Sequence, residues 1–313
     1  MESPTPKNLY QYIEWTHFSA ILLGVVVSMI NNLAEYTMNS PYLTELFSLQ
    51  NQVAVVTGAG GALANALVRG LVQAGARAAL LDRNVERGRE FAEQLTAQGA
   101  QALFLTADVL NREQLEADRD VILKTWGRID ILVNLAGGNV PAATVADDQS
   151  FFGVPLEALR STFDLNWTGT VLPSQVFGEV MAQQKSGSIV NISSMAAQRP
   201  LTRVIAYASA KAGIDNFTRW LAIEMARKYG EGLRVNAIAP GFFIGAQNRA
   251  MLLNPDGSLT DRGKKIIAQT PAGRFGEAEE LVGALIWLCS PAARFVTGVV
   301  IPVDGGYSAF GGV

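Results

Sequence analysis

The pattern of apolar runs and glycines predicts an α/β fold, a single doubly wound domain built on a seven-stranded parallel sheet. Three observations carry this expectation. Short runs rich in Val, Ile, Leu and Ala alternate with stretches at helical spacing from residue 47 onward. The runs are apolar almost throughout, as strands buried on both faces are. Most of them end in glycine or a polar residue, and it is beyond the carboxyl ends of such strands that parallel sheets bind their ligands.

The first strand is VAVVT at 53–57, followed by the helical pattern ALVRGLVQAGA with its glycine stop. AALLD at 78–82 is the second, and the polar helix VERGREFAEQLTAQG follows it. Then come ALFLTADV at 102–109, a charged helix near 112–126 and IDILVNLAGG at 129–138. SIVNISS at 188–194, RVNAIAPG at 234–241 and GVVIPVDGG at 298–306 complete the seven. No repeat, low-complexity tract or linker interrupts residues 47–313, which read as one domain, with residues 1–46 as an extension.

Composition narrows the function classes. Of 313 residues, 49% are hydrophobic and 17% charged, enough for a large core and too apolar for disorder. The net charge of −3 is accounted for by residues 1–50, where Lys7 faces Glu2, Glu14, Glu35 and Glu45. The remainder is neutral, so no nucleic-acid partner is expected. One cysteine, Cys289 in the apolar run LVGALIWLCS, rules out an intramolecular disulfide and reads as a buried thiol, in keeping with a cytoplasmic protein. The single histidine, His17, lies outside the main domain. A Ser-His-Asp hydrolase or a histidine-built metal site therefore has no histidine to use, and no metal is expected.

The extension holds one apolar run, Phe18 to Ile30, of thirteen residues. A membrane-spanning helix needs about 20. The preceding segment carries one Lys and two Glu, and no Lys or Arg follows until Arg69, so nothing sets a membrane orientation. Three readings stand: an interfacial or weak membrane helix at residues 18–30, a helix packed on a partner, or sequence upstream of a true start at Met38.

Two constellations carry chemistry. Between the first strand and its helix lies Thr57-Gly58-Ala59-Gly60-Gly61-Ala62-Leu63-Ala64. Glycines there let the backbone approach a pyrophosphate, which then sits at the positive end of the helix. Asp82 ends the second strand, 24 positions after Gly58. A carboxylate there accepts hydrogen bonds from an adenosine ribose and repels a 2′-phosphate, which predicts NAD rather than NADP, although Arg83 next door pulls the other way. The second constellation is Tyr207-Ala-Ser-Ala-Lys211, whose tyrosine and lysine share one helix face. An ammonium beside a phenol stabilises the phenolate, so Tyr207 can serve as acid or base near neutral pH.

Together these segments resemble the short-chain dehydrogenase/reductase family over residues 47–313, which implies a Rossmann-type fold and an oxidoreductase acting on CH–OH groups. Ser194, 13 residues before Tyr207, matches the family serine that hydrogen-bonds the substrate oxygen. Asn166 in FDLNWTG matches the asparagine that supports a water relay beside the lysine. By the same resemblance Asn134, Ala136 and Gly137 of NLAG, the Asp108-Val109 pair and Pro240-Gly241 join Gly58, Gly60, Gly61, Leu63, Asp82, Tyr207 and Lys211 around the cofactor. The chain departs from the family at four points. Ala62 and Ala64 replace glycines of the turn, Leu135 replaces the second Asn of N-N-A-G, and Gly245 stands in Phe242-Phe243-Ile244-Gly245 where the family often has Thr for the nicotinamide carboxamide.

Finer resemblance, in AGGN at 136–139, LNWTGTVLPSQVF, NAIAPGFFIGAQNRAMLL, TPAGRFGE and FVTGVVIPVDGGYSAFGGV, is to the fructuronate reductase, or D-mannonate oxidoreductase, group. It implies hydride transfer between NADH and the keto group of a hexuronate, and a homotetramer with GYSAFGGV at subunit contacts. A polyhydroxy acid needs amide hydrogen bonds and a cation for its carboxylate. Asn139, Arg203, Gln247, Asn248 and Arg249, with Ser194 and Tyr207, are the candidates, each arginine reading equally as an ordinary surface residue. A reductase of another polyol, keto acid or keto ester would use the same catalytic set, and a nucleotide-sensing protein without turnover would keep the fold.

Overall fold

Seven strands line up in the order β3-β2-β1-β4-β5-β6-β7, all parallel, in the computed structural model, which describes residues 41–245 and 248–312. The run Phe18–Ile30 and Gln247 lie outside the described residues. After a short helix α1 (Pro41–Phe47) come β1 (Val53–Thr57), α2 (Ala64–Gln73), β2 (Arg77–Asp82), α3 (Val85–Ala97), β3 (Ala102–Thr106), α4 (Arg112–Trp126) and β4 (Ile131–Asn134). The second half runs α5 (Leu156–Phe163), α6 (Gly169–Gln184), β5 (Gly187–Ile192), α7 (Ile205–Tyr229), β6 (Leu233–Pro240), α8 (Arg249–Leu252), α9 (Asp261–Ala268), α10 (Val282–Cys289) and β7 (Val300–Val303). All seven strands expected from the apolar runs are present, and residues 47–313 form one unit.

The apolar runs read as strands, and their alternate residues feed two separate cores. Ala54 and Val56 of β1 point to one face, with Leu67 and Leu71 of α2, Phe91 and Leu95 of α3, and Leu285 and Leu288 of α10. Val53 and Val55 point to the other, with Leu115 and Ile122 of α4, Phe177 and Met181 of α6, and Met225 of α7. A sheet covered on both faces has no solvent side, which is why its strands lack polar alternation.

The direction in which successive strands are added to the sheet reverses between β1 and β4, which are neighbours although β2 and β3 intervene in sequence. That reversal opens a crevice at the carboxyl edge of the sheet. A buried polar row lines this edge. Thr57 Oγ1 accepts from the N–H groups of Leu135 and Ala136, both at 3.2 Å. Asn134 Nδ2 donates to Ser174 Oγ and Asn191 Oδ1, and Asn191 Nδ2 donates to Thr218 Oγ1. These bonds tie the loop after β4 to the end of β1. No helix among the described residues is long and apolar enough to cross a membrane.

Candidate active site

The crevice is a cleft of about 540 Å³ that runs from Asp82, Arg83 and Arg87, past the glycine turn, to Ser194, Tyr207 and Lys211. At its first end, glycine is required by geometry. Gly58 has φ 67°, and a Cβ added there would stand 2.7 Å from Ala136 Cα. Asp82 accepts from Gly60 N–H at 2.9 Å through one oxygen and from Asn84 N–H at 2.7 Å through the other. The carboxylate thus anchors the turn as well as facing the cleft, and a Cβ on Gly60 would meet it at 3.2 Å. The amino end of α2 opens onto the same space. Its open first-turn N–H groups and dipole suit a phosphate. These residues fit a dinucleotide: a backbone cradle, a helix end and a carboxylate at the ribose position.

Two of the four departures from the family pattern, Ala62 and Gly245, meet in space. A Cβ on Gly245 would lie 2.9 Å from Ala62 Cβ, closer than real Cβ contacts allow. The methyl of Ala62 therefore occupies room that only a glycine at 245 leaves free. Ala64 is fully buried at the start of α2, where a methyl packs without reaching the cleft.

At the second end, α7 carries Tyr207 and Lys211 one turn apart, with Lys211 Nζ 5.6 Å from the centre of the Tyr207 ring. Lys211 is 3% exposed and donates to the Ile192 carbonyl at 2.6 Å. Burial lowers its pKa to about 8, partly opposed by Asp215. Burial raises the Tyr207 phenol above its usual value, and the Ser194 hydroxyl works against that shift. Ser194 follows β5 in extended backbone, and its Oγ accepts from Ala196 N–H at 3.1 Å, which fixes its direction at the cleft. A serine hydroxyl, a phenol and an ammonium thus converge on one spot, as proton transfer to a carbonyl oxygen requires.

Asn166 sits in a π-helical segment, Asp164–Thr168, between α5 and α6. The π turn rotates the side chain inward, a device common at functional sites. Fully buried, it donates to the Gly138 and Thr162 carbonyls, each at 2.7 Å, and accepts from Gly138 N–H at 3.1 Å. Asn166 Oδ1 and Lys211 Nζ lie 2.6 and 3.4 Å from where a Gly137 Cβ would be, so Gly137 must lack a side chain.

Most of the residues expected around the cofactor line the cleft: Gly58, Gly60, Gly61, Leu63, Asp82, Val109, Ala136, Gly137, Pro240 and Gly241, with Tyr207 and Lys211. Asn134 does not, because its side chain is 1% exposed and committed to Ser174 and Asn191. Asp108 also stands outside the lining, turned to Leu110 N–H and 3.9 Å from Arg83.

The substrate candidates divide. Asn139 lines the cleft and donates to Thr144 Oγ1 at 2.6 Å, while its Oδ1 is buried with no partner. Asn248 lines the cleft but its amide braces the loop after β6, accepting from Gly245 N–H and donating to the Phe243 carbonyl. Arg249 is exposed and does not line the cleft. Arg203 is half-buried just outside the lining, at φ 80°.

Sequence reading missed several neighbours. Asn84 and Arg87 line the ribose end beside Arg83, and Ile192 lines the cleft near Lys211. Asp215 lies one turn after Lys211, buried, and its carboxyl accepts from Ser193 Oγ. A carboxylate four residues after the lysine was the available signal for it.

A parallel sheet switched between β1 and β4, with a glycine cradle at one end of the crevice and Ser194, Tyr207 and Lys211 at the other, defines an oxidoreductase, and the chain belongs to the short-chain dehydrogenase/reductase family. Residues 58–308 match the family profile described as Enoyl-(acyl carrier protein) reductase. An uncharacterized oxidoreductase of Bacillus subtilis is 44% identical over 275 residues, 85% of this chain and 98% of that protein. A solved structure from Haemophilus influenzae, provisionally assigned as a D-mannonate oxidoreductase and holding NAD, is 42% identical, with TM-score 0.81, 87% of this chain and all of that one covered. A gluconate 5-dehydrogenase of Burkholderia cenocepacia, solved with NADP and tartrate, is 30% identical, with TM-score 0.77 over 86% of this chain and 99% of that one.

Proposed function

We propose that residues 47–313 are the catalytic domain of an NAD(H)-dependent reductase that reduces the keto group of a sugar acid, D-fructuronate to D-mannonate, and runs in reverse. The observation that carries this reading is the convergence of Ser194, Tyr207 and Lys211 at the end of a cleft whose other end is closed by Asp82. The sugar-acid part is supported by the likeness to the Haemophilus protein and to a gluconate enzyme solved with tartrate.

In this reading the bound dinucleotide supplies the hydride. Ser194 and Tyr207 hydrogen-bond the substrate carbonyl oxygen, and Tyr207 gives up its proton as that oxygen becomes a hydroxyl. Its phenolate is left facing the Lys211 cation, which lowers the cost of losing the proton. Asn166 acts by holding the Gly137-Gly138 backbone against Lys211 and by connecting the lysine to water. Asn139, on the cleft wall with its buried Oδ1 unpaired, would accept from a substrate hydroxyl once its side chain turns toward the cleft. Asp82 favours NAD, since a 2′-phosphate would face a carboxylate already fixed by two backbone N–H groups. The family resemblance extends the proposal to a cytoplasmic homotetramer, which sedimentation of the purified protein checks.

The test is NADH consumption by purified protein with D-fructuronate, D-tagaturonate and 5-ketogluconate, for wild type and Tyr207→Phe. Turnover of D-fructuronate that falls by about 100-fold or more in the variant is expected. Turnover of another ketone alone would retain the catalytic set and sink the substrate assignment. NADH binding without any turnover would favour a nucleotide-sensing role.

A further inference from the structure

Two arginines stand in and against the loop that leads into Tyr207, outside the cleft lining, and neither has an ion-pair partner among the described residues. Arg203 lies in the loop between Ser194 and Tyr207, in the left-handed region at φ 80°, which disfavours a side chain of its size. Its carbonyl accepts from Val145 N–H at 2.9 Å. Val145 follows Thr144, the hydroxyl that receives the amide of Asn139 from the cleft wall. Arg203 Nε is buried without a hydrogen-bond partner.

Arg262, in the first turn of α9, reaches the same loop and donates to Thr202 Oγ1 at 3.4 Å. Burial lowers its pKa, and the neighbouring Arg203 lowers it further. The charges of Asp147 and Tyr307 oppose that shift by smaller amounts. Among the described residues, no carboxylate comes within 4.0 Å of either guanidinium. Two half-buried like charges repel, and a strained backbone holds one of them in place. A carboxylate beside the two guanidinium groups would relieve the repulsion.

We propose that Arg203 and Arg262 form a clamp for the carboxylate of the substrate, with Arg262 as the residue that selects an acid over a neutral sugar. The clamp rests on the sugar-acid reading above, and it deepens that reading by placing the acid group on two elements, the loop before α7 and helix α9. Asn139, linked to Arg203 through Thr144 and Val145, lines the same cleft as Tyr207 and ties the arginine loop to its wall.

The experiment compares wild type, Arg262→Gln and Arg262→Lys. With D-fructuronate, the glutamine variant is expected to raise KM at least tenfold with kcat within threefold, and the lysine variant to recover part of the loss. NADH affinity, read by fluorescence titration, stays within twofold in both and shows that the fold is kept. Calorimetric titration of tartrate into the NAD-saturated protein gives a second readout that needs no turnover, and binding is expected in wild type and lost in Arg262→Gln. An unchanged KM for D-fructuronate, or equal tartrate binding by wild type and Arg262→Gln, would overturn the clamp. If wild type turned over no sugar acid, the sugar-acid reading would fail, while the tartrate titration would still decide the clamp.

Discussion

Lys211 is a buried cation whose pKa has come down to about 8, so it changes charge within the range in which the enzyme can be assayed. Below that value the ammonium faces Tyr207 and supports loss of the phenolic proton. Above it the support disappears, while burial still holds the phenol above its usual value. The kcat/KM for ketone reduction is therefore expected to fall as pH rises through about 8, and a profile flat to pH 10 would refute the role given to Lys211. Cys289 shows the opposite use of burial. Desolvation pushes its thiol up to about 12, so it holds almost no thiolate at neutral pH. Native protein should resist iodoacetamide at pH 8, with labelling only after denaturation, as mass spectrometry would show. At Asp82, replacement by Ala removes the carboxylate that would oppose a 2′-phosphate. The NADH-to-NADPH ratio of kcat/KM should drop about tenfold or more, since a single lost charge contact of this kind is worth about 1.5–3 kcal/mol.

At the scale of elements, the turn after β1 and the loop after β6 act as one unit because Ala62 and the Gly245 backbone fill a shared space. Gly245→Thr alone is overpacked and should weaken NADH binding by about tenfold, in line with about 1–3 kcal/mol for an inserted side chain. Ala62→Gly in the same chain should restore most of the affinity, and simple additivity of the two changes in fluorescence titration would show that they do not touch. The sequence alone displayed both departures from the family pattern but not their pairing, because 183 positions separate residues that only the switch between β1 and β4 brings together. The strands themselves were legible, since parallel strands buried on two faces leave continuous apolar runs in the chain. The Ser194, Tyr207 and Lys211 spacing was legible for a related reason, as one strand end and one helix carry all three. Arg262 left no trace, because a lone arginine on an amphipathic helix gives no sign of where that helix docks. Asn134 and Asn248 looked like ligand contacts, but the sheet edge takes up the Asn134 amide N–H groups and the loop after β6 takes up both ends of the Asn248 amide.

For the molecule as a whole, stability includes one conspicuous electrostatic cost. Asp118 on α4 is 8% exposed, one of its oxygens has no partner, and burial raises its pKa to about 6. The folded state thus holds this proton more tightly than the unfolded chain does, and this group destabilises the fold most above pH 6. Its contribution improves as pH falls from about 6 toward the ordinary carboxylate value. Asp118→Asn should raise the melting temperature at pH 8, by an amount equivalent to about 1–2 kcal/mol, and should leave it almost unchanged at pH 3, below the ordinary carboxylate value. An equal shift at both pH values would place the effect in packing rather than charge.

The contact between positions 62 and 245 also bears on how this chain can change over generations. A glycine-to-threonine step at 245 is blocked while alanine stands at 62, and the reverse step at 62 leaves a small void until 245 grows. Each state is therefore entrenched by the other. Descendants and relatives should carry matched pairs at these two positions, and a cofactor loop grafted from another family member will function only if its partner turn travels with it.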